Sequence, residues 1–328
     1  MRETVVVLGS NSFSGSHFVK TLLKNGHSVI GVSRSQAYDP VFVPYQQETD
    51  RFQFYQLDLN HELDELLQLI KQAKAAYVVN FAAQSMVAES WLYPQHWFRT
   101  NTLSTIMFHE ELRKCDFLKT YVHVSTPEVY GHCTGNVTES QPYNPSTPYA
   151  VSRAAADMSL KTFHRAYGFP VVFTRSANVY GPGQQLYRII PKALLCFLGG
   201  RKLSLHGGGE SVRAFIHIDD VARGTYLAMK QGAAGEIFHF SVEETISIRS
   251  LVRKIADLLD MDFEQCVEVT GDRLGKDGAY RLDAAKARNV LHWEPAIGLD
   301  QGLKDTAQWV VDNLEHLKTL PDTYIHKP

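Results

Sequence analysis

The sequence predicts an α/β fold: a doubly wound parallel sheet with a smaller C-terminal α/β region that binds a substrate. Three observations predict it. Short β-branched runs alternate with helical patterns through about residue 180. A Gly/Ser turn, "GSNSFSG" (9–15), joins the first of these runs to the first helical pattern. After Tyr180 the alternation stops, and Gly and Pro become frequent, as in "GPGQQ" and "FLGGRKLSLHGGGES". Strands alternating with helices build βαβ units and a parallel sheet with helices on both faces.

The elements follow in order. "TVVVLG" (4–9) is a continuous apolar run, the pattern of a strand buried on both faces. "HFVKTLLKNG" (17–26) carries apolar residues at helical spacing and ends on Gly. "HSVIGVS" (27–33), "QFYQLDL" (53–59) and "AYVVNFAA" (76–83) are the next strands, with the amphipathic helix "ELDELLQLIKQA" (62–73) between the last two. "TYVHVST" (120–126) is a fifth strand and "PVVFTRSANVYG" (170–181) a sixth. The division expected is a dinucleotide-binding domain of residues 1–178 and 213–240, and a second domain of residues 179–212 and 241–328.

The chain has 328 residues, 44% hydrophobic and 21% charged, ordinary for a soluble globular protein. Net charge is −2 without a basic block, which argues against nucleic-acid or membrane-surface partners. Cys115, Cys133, Cys196 and Cys266 are scattered, so neither a disulfide framework nor a metal site is expected. The N-terminus runs straight into a strand pattern, and no apolar stretch approaches a membrane span. A cytoplasmic enzyme is the default class.

The glycine turn stands where a Rossmann-type dinucleotide fingerprint belongs, after a strand and before a helix. Gly9 and Gly15 match the tight form GxxGxxG, with Ser12 at the middle position and Phe13 beside it. A phosphate can sit at the N-terminus of the helix that follows. In NAD sites an acidic residue ends the second strand and holds the ribose diol. Here that place reads Ser33-Arg34-Ser35, and Arg34 could pair with a 2′-phosphate. The cofactor expected is NAD or NADP, with NADP favoured. Asp58 and Leu59 close the third strand beside the adenine, and Ala82 and Ala83 are small enough for backbone to pass close to a cofactor.

"HVSTPEVYG" (123–131) ends the fifth strand at the carboxyl edge, where sites of open α/β sheets lie. It supplies Ser125, Thr126 and Glu128 to the crevice. "NPSTPYAVSRAAADM" (144–158) then places Tyr149 and Arg153 at a helix start.

Together these stretches resemble the extended short-chain dehydrogenases, in the NAD-dependent nucleotide-sugar epimerase/dehydratase family. "GSNSFSG", "AAQS", "STPEVYG", "TPYAVSR", "NVYGPG", "GGGESVRAFIHIDD" and "RLGKDGAYRLD" match it in order over nearly the whole chain. The resemblance implies a nucleotide-sugar 4,6-dehydratase. In that reading Tyr149, as phenolate, takes the C4 hydroxyl proton and Thr126 orients the same oxygen. Glu128 removes the C5 proton, and with Pro127 in place of an acid it also returns that proton to the leaving hydroxyl. Within the family Glu after "ST-x" marks dehydratases and decarboxylases, whereas epimerases carry a small residue. A C4 epimerase, a 5,6-dehydratase, a decarboxylase and a catalytically impaired relative are the alternatives. Arg153 departs from the family's Lys, which bonds the nicotinamide ribose and lowers the Tyr pKa. Arg keeps the charge but has a planar, bulkier head. The resemblance places Gln84 and Ser85 at the sugar, and Asn178, Arg213, Arg273 and Tyr280 at the diphosphate, which suits Arg. It also implies a homodimer built on the helix after about residue 95 and the Tyr149 helix, and in the latter "AAADMSLKTF" (154–163) has small and apolar residues suited to such packing.

Overall fold

The computed structural model describes residues 3–36, 38–45, 50–133, 135–271 and 281–327. Its central sheet has seven parallel strands: β1 (Thr4–Leu8), β2 (Ser28–Ser33), β3 (Phe52–Gln56), β4 (Tyr77–Asn80), β5 (Thr120–Val124), β6 (Val171–Ser176) and β7 (Ile237–Phe240). They lie in the order β7-β6-β5-β4-β1-β2-β3. The order reverses between β1 and β4, which opens a crevice at the carboxyl ends of these two strands.

The β1 sequence explains its central place. Its side chains alternate between faces. Val6 and Leu8 pack with Leu66, Ile70 and Phe108 on one side. Val5 and Val7 pack with Phe18, Leu22 and Met229 on the other. Both faces are therefore covered, as the unbroken apolar run requires. One cover comes from α1 (Phe13–Lys24) and α6 (Ile218–Gln231), the other from α2 (Leu63–Ala73) and α3 (Thr105–Leu112), with α4 (Pro148–Tyr167) beside them. A separate core holds Phe42, Tyr180 and Ile190 of α5 (Ile189–Leu198), Leu251 of α7 (Ile248–Leu258), and Leu303 and Val310 of α8 (Leu299–Asp312).

The structure divides the sixth expected strand. Ala177 N–H donates to Phe240 O at 2.9 Å, and Asn178 N–H donates to Ala214 O at 3.1 Å. The chain thus changes partner at one residue. Beyond it, Asn178–Tyr180 runs parallel to Phe215–His217, outside the main sheet. Strand β7, too short to stand out in the sequence, lies parallel to β6 at the sheet edge. Among the described residues, no helix is long and apolar enough to cross a membrane.

Candidate active site

The glycine turn forms by a cap. Ser12 is the N-cap of α1, and its hydroxyl oxygen accepts from Gly15 N–H at 3.0 Å. Such a cap is worth about 1 kcal/mol. The hydroxyl proton stays available to donate toward the crevice. Gly9 has φ +76°, and a Cβ there would stand 2.8 Å from Ala82 N. At Gly15 a Cβ would meet Gly9 O at 2.1 Å. Both glycines are therefore required by contact with backbone, which cannot move aside cheaply.

A cavity of about 530 Å³ opens beside this turn. Gly9, Ser12, Arg34, Asp58, Leu59, Ala82, Ala83, Gln84 and Ser85 line it. Its volume lies within the range of small-molecule sites. A dinucleotide fits this lining: small residues allow close approach, and the N-terminus of α1 suits a pyrophosphate. Asp58 accepts from Asn60 N–H at 2.8 Å, which sets its carboxylate at the rim. Gly15 and Phe13 do not line the cavity. Gly15 packs on Gly9, and the Phe13 ring is buried edge-on against His17 at 5.2 Å.

Thr126, Glu128 and Tyr149 stand together at the carboxyl end of β5. Thr126 caps the short helix Pro127–Tyr130, accepting from Glu128 N–H at 3.3 Å. Thr147 caps α4 by accepting from Ala150 N–H at 3.1 Å, and Pro148 takes the first helical position. These caps aim Tyr149 at Thr126, and the two side chains are hydrogen-bonded. Tyr149 is buried. Burial, and then the Glu128 charge, hold its phenol above the usual range, while Arg153, Thr126 and Arg188 pull it down. Arg188, just before α5, drew no notice in the sequence. Only the fold brings it near Tyr149.

Beside Tyr149, two further expectations are met differently. Ser125, expected to face the crevice, turns inward and donates its hydroxyl proton to Asp157 Oδ2 at 2.7 Å. The physical reason is a buried carboxylate beneath it. Arg153, expected at the cofactor ribose, bonds Val124 O and His123 Nε2 on β5. Its head reaches the strand beneath α4, so it acts on Tyr149 by charge. A deep network continues from there. His123 lies 3.4 Å from Asp157, and Arg175 donates to Asp157 at 2.7 Å and to Tyr130 and Tyr143. Burial first, and then Arg153, push the His123 pKa down to about 3, so the ring is neutral.

Asn101 ties two parts of the crevice together, a contact that sequence reasoning missed. It sits in a π-helical turn, Phe98–Ser104, and turns of this kind recur at functional sites. It accepts from Gln84 N–H at 2.8 Å and donates to Gln84 O and to Ser152 on α4. The loop after β4 is thereby tied to the Tyr149 helix. Asn178 donates to Ala214 O, and Arg213 donates to Val212 O; neither lines the cavity. Arg273 and Tyr280 lie outside the described residues.

The family model described as GDP-mannose 4,6-dehydratase matches residues 6–306. This chain belongs to that family. A dTDP-glucose 4,6-dehydratase from Neisseria gonorrhoeae is 30% identical, covering 95% of this chain and 96% of that protein. The solved dTDP-glucose 4,6-dehydratase DesIV from Streptomyces venezuelae, with NAD bound, superposes with a TM-score of 0.89 at 32% identity. That match covers 95% of this chain and 98% of the other. A UDP-glucose 4-epimerase from Thermotoga maritima gives 0.87 at 28% identity, over 95% of this chain and 99% of its own. Family membership accounts for the Rossmann-type order of the sheet.

Proposed function

We propose that this chain is a nucleotide-sugar 4,6-dehydratase, which converts a nucleoside-diphosphate hexose into its 4-keto-6-deoxy derivative. The observation that carries this reading is Glu128 beside the Thr126–Tyr149 pair. A C4 epimerase needs chemistry only at C4. A dehydratase also needs a base at C5, and Glu128 can serve as one.

Residues 1–178 and 213–240 would hold the dinucleotide, and residues 179–212 and 241–328 the sugar nucleotide. Gly9, Ser12, Asp58 and Ala82 would hold a bound dinucleotide, whose nicotinamide would supply a hydride acceptor for C4 and a donor for C6 and whose positive charge would favour the Tyr149 phenolate. Tyr149 takes the C4 hydroxyl proton, and Thr126 orients that oxygen. The 4-ketone makes the C5 proton acidic, and Glu128 removes it. Glu128 then protonates the C6 hydroxyl, which leaves as water. Return of hydride to C6 leaves an electron pair at C5, which takes one proton from solvent, while Tyr149 passes the proton of the C4 hydroxyl to solvent; the net change is the loss of one water. Arg153 supplies a fixed positive charge below Tyr149.

The test is incubation with GDP-, UDP-, dTDP- and CDP-hexoses in heavy water, followed by mass. Loss of water with one solvent deuteron gained supports the reading and names the nucleotide. Unchanged mass and no deuterium with every substrate would sink it. The same preparation, denatured, releases its dinucleotide for identification. Arg34, and Ser33 and Ser35 where a carboxylate would hold a ribose diol, favour the 2′-phosphorylated form; recovery of NAD alone would overturn that preference.

The homodimer is also a proposal. Leu103 and Met107, and Val151 and Met158 on α4, are 55, 50, 39 and 58% exposed. A second copy of this chain would cover such an apolar face. Met158→Glu is expected to convert a dimer to monomer in sedimentation with the fold intact. A monomeric native protein would refute the assignment.

A further inference from the structure

The segment from Leu320 to Lys327 forms neither helix nor strand, yet it crosses the cavity of the glycine turn. Pro321, Tyr324, Ile325 and Lys327 line the same cavity as Gly9 and Arg34. Lys327 O accepts from Gln84 Nε2 at 2.7 Å and from Arg34 Nη2 at 3.2 Å. Gln84 follows β4 and Arg34 follows β2, so one carbonyl bridges the two sides of the crevice. Asp322 pairs with Arg201 at 2.8 Å, which anchors the near end.

Beside the Lys327 carbonyl, one ring packs the far end. His326 Nε2 lies 2.8 Å from His96 Nδ1, and one of these nitrogens donates while the other accepts. The His326 ring stacks on Tyr93 at 5.2 Å and on the buried Trp97 at 5.1 Å. Tyr324 meets Tyr187 edge-on at 5.4 Å. Away from these contacts the segment is largely exposed, the mark of an element that opens locally.

We infer that residues 320–327 are a strap that closes over the bound dinucleotide, latched by His326, and that it must open before the dinucleotide can leave. The inference rests on the cofactor reading above. It deepens that reading, because a dehydratase must return its hydride to the same sugar. A cofactor lost in mid-cycle would abort the turnover. The groups facing His326 are His96, Tyr93, Trp97, Tyr324, Arg34 and Glu89. Burial, then His96 and Arg34, lower its pKa, so the closed strap holds the neutral ring. Protonation favours the open strap, and release should quicken as pH falls.

The experiment measures dissociation of NAD or NADP from the full chain, for the native protein, His326→Ala and His326→Phe. Loss of the stack and the hydrogen bond in His326→Ala should speed release by about tenfold. His326→Phe keeps the stack, should fall between the two, and should lose the acceleration at low pH. Release unchanged in both variants would overturn the strap while leaving the cofactor reading intact. Slower release or tighter binding would also overturn it, because the segment would then be a plug that competes with the dinucleotide. Failure of all three proteins to bind either dinucleotide would remove the cofactor reading, and the strap with it.

Discussion

Glu128→Gln is expected to stop dehydration while leaving oxidation at C4 possible. Replacing a positioned proton-transfer group costs about 10²–10⁴-fold in rate. Tyr149→Phe should cost a similar factor, but at an earlier step. The two variants therefore separate by what accumulates. With Glu128→Gln, adding the sugar nucleotide should give absorbance of reduced nicotinamide with no water lost. With Tyr149→Phe the cofactor should stay oxidised. If Glu128→Gln dehydrates at the native rate, the assignment of the C5 base is wrong. The pH profile carries a second check. Burial and Glu128 hold the Tyr149 phenol above its ordinary range. A raised pKa means that the phenolate fraction, and so the C4 step, should increase with pH. Arg153→Gln removes a charge that opposes this shift, so the acid limb should move to higher pH.

Asp157→Ala should destabilise the fold by about 3–5 kcal/mol, since it strips a buried ion pair of one member. Arg175 is fully buried and donates to Asp157 at 2.7 Å, with Ser125 at 2.7 Å and Tyr143 at 3.3 Å on the same oxygen. Without the carboxylate, the guanidinium would remain in the core with only two tyrosine hydroxyls. Asp157→Asn keeps an acceptor and should cost less. Burial alone would raise the Asp157 pKa, but the charges of Arg175 and Arg153 outweigh it and hold the pKa below the usual value. A carboxylate with a depressed folded pKa stabilises above its unfolded pKa, and that stability is lost as pH falls. Denaturant melts of native and Asp157→Ala protein should therefore converge on acidification. Equal midpoints at neutral pH would show that the network carries no net stability.

The strands were legible because burial on both faces leaves an unbroken β-branched run, as in Thr4–Leu8. The glycine turn was legible because only Gly tolerates the backbone approach at residues 9 and 15. Thr126, Glu128 and Tyr149 stood out through motifs at strand and helix ends. Arg153 was visible as a residue, but its destination was not. Its head binds a carbonyl on β5 only because α4 lies across that strand. Ser125 was misjudged for the same reason: Asp157, which claims it, lies 32 residues away. The Lys327 contact with Gln84 spans 243 residues, and no local pattern encodes it.

The sequence by itself determined the first six sheet strands in order, the glycine turn, and the Thr126, Glu128 and Tyr149 side chains at strand and helix ends. These depend on local periodicity, caps and steric demands over a few residues. The tertiary structure alone decided where Arg153 points, which hydroxyl serves the buried Asp157, and which segment crosses the cavity. Those outcomes depend on which distant elements pack together. A side chain with several hydrogen-bond options takes the one that packing places within reach.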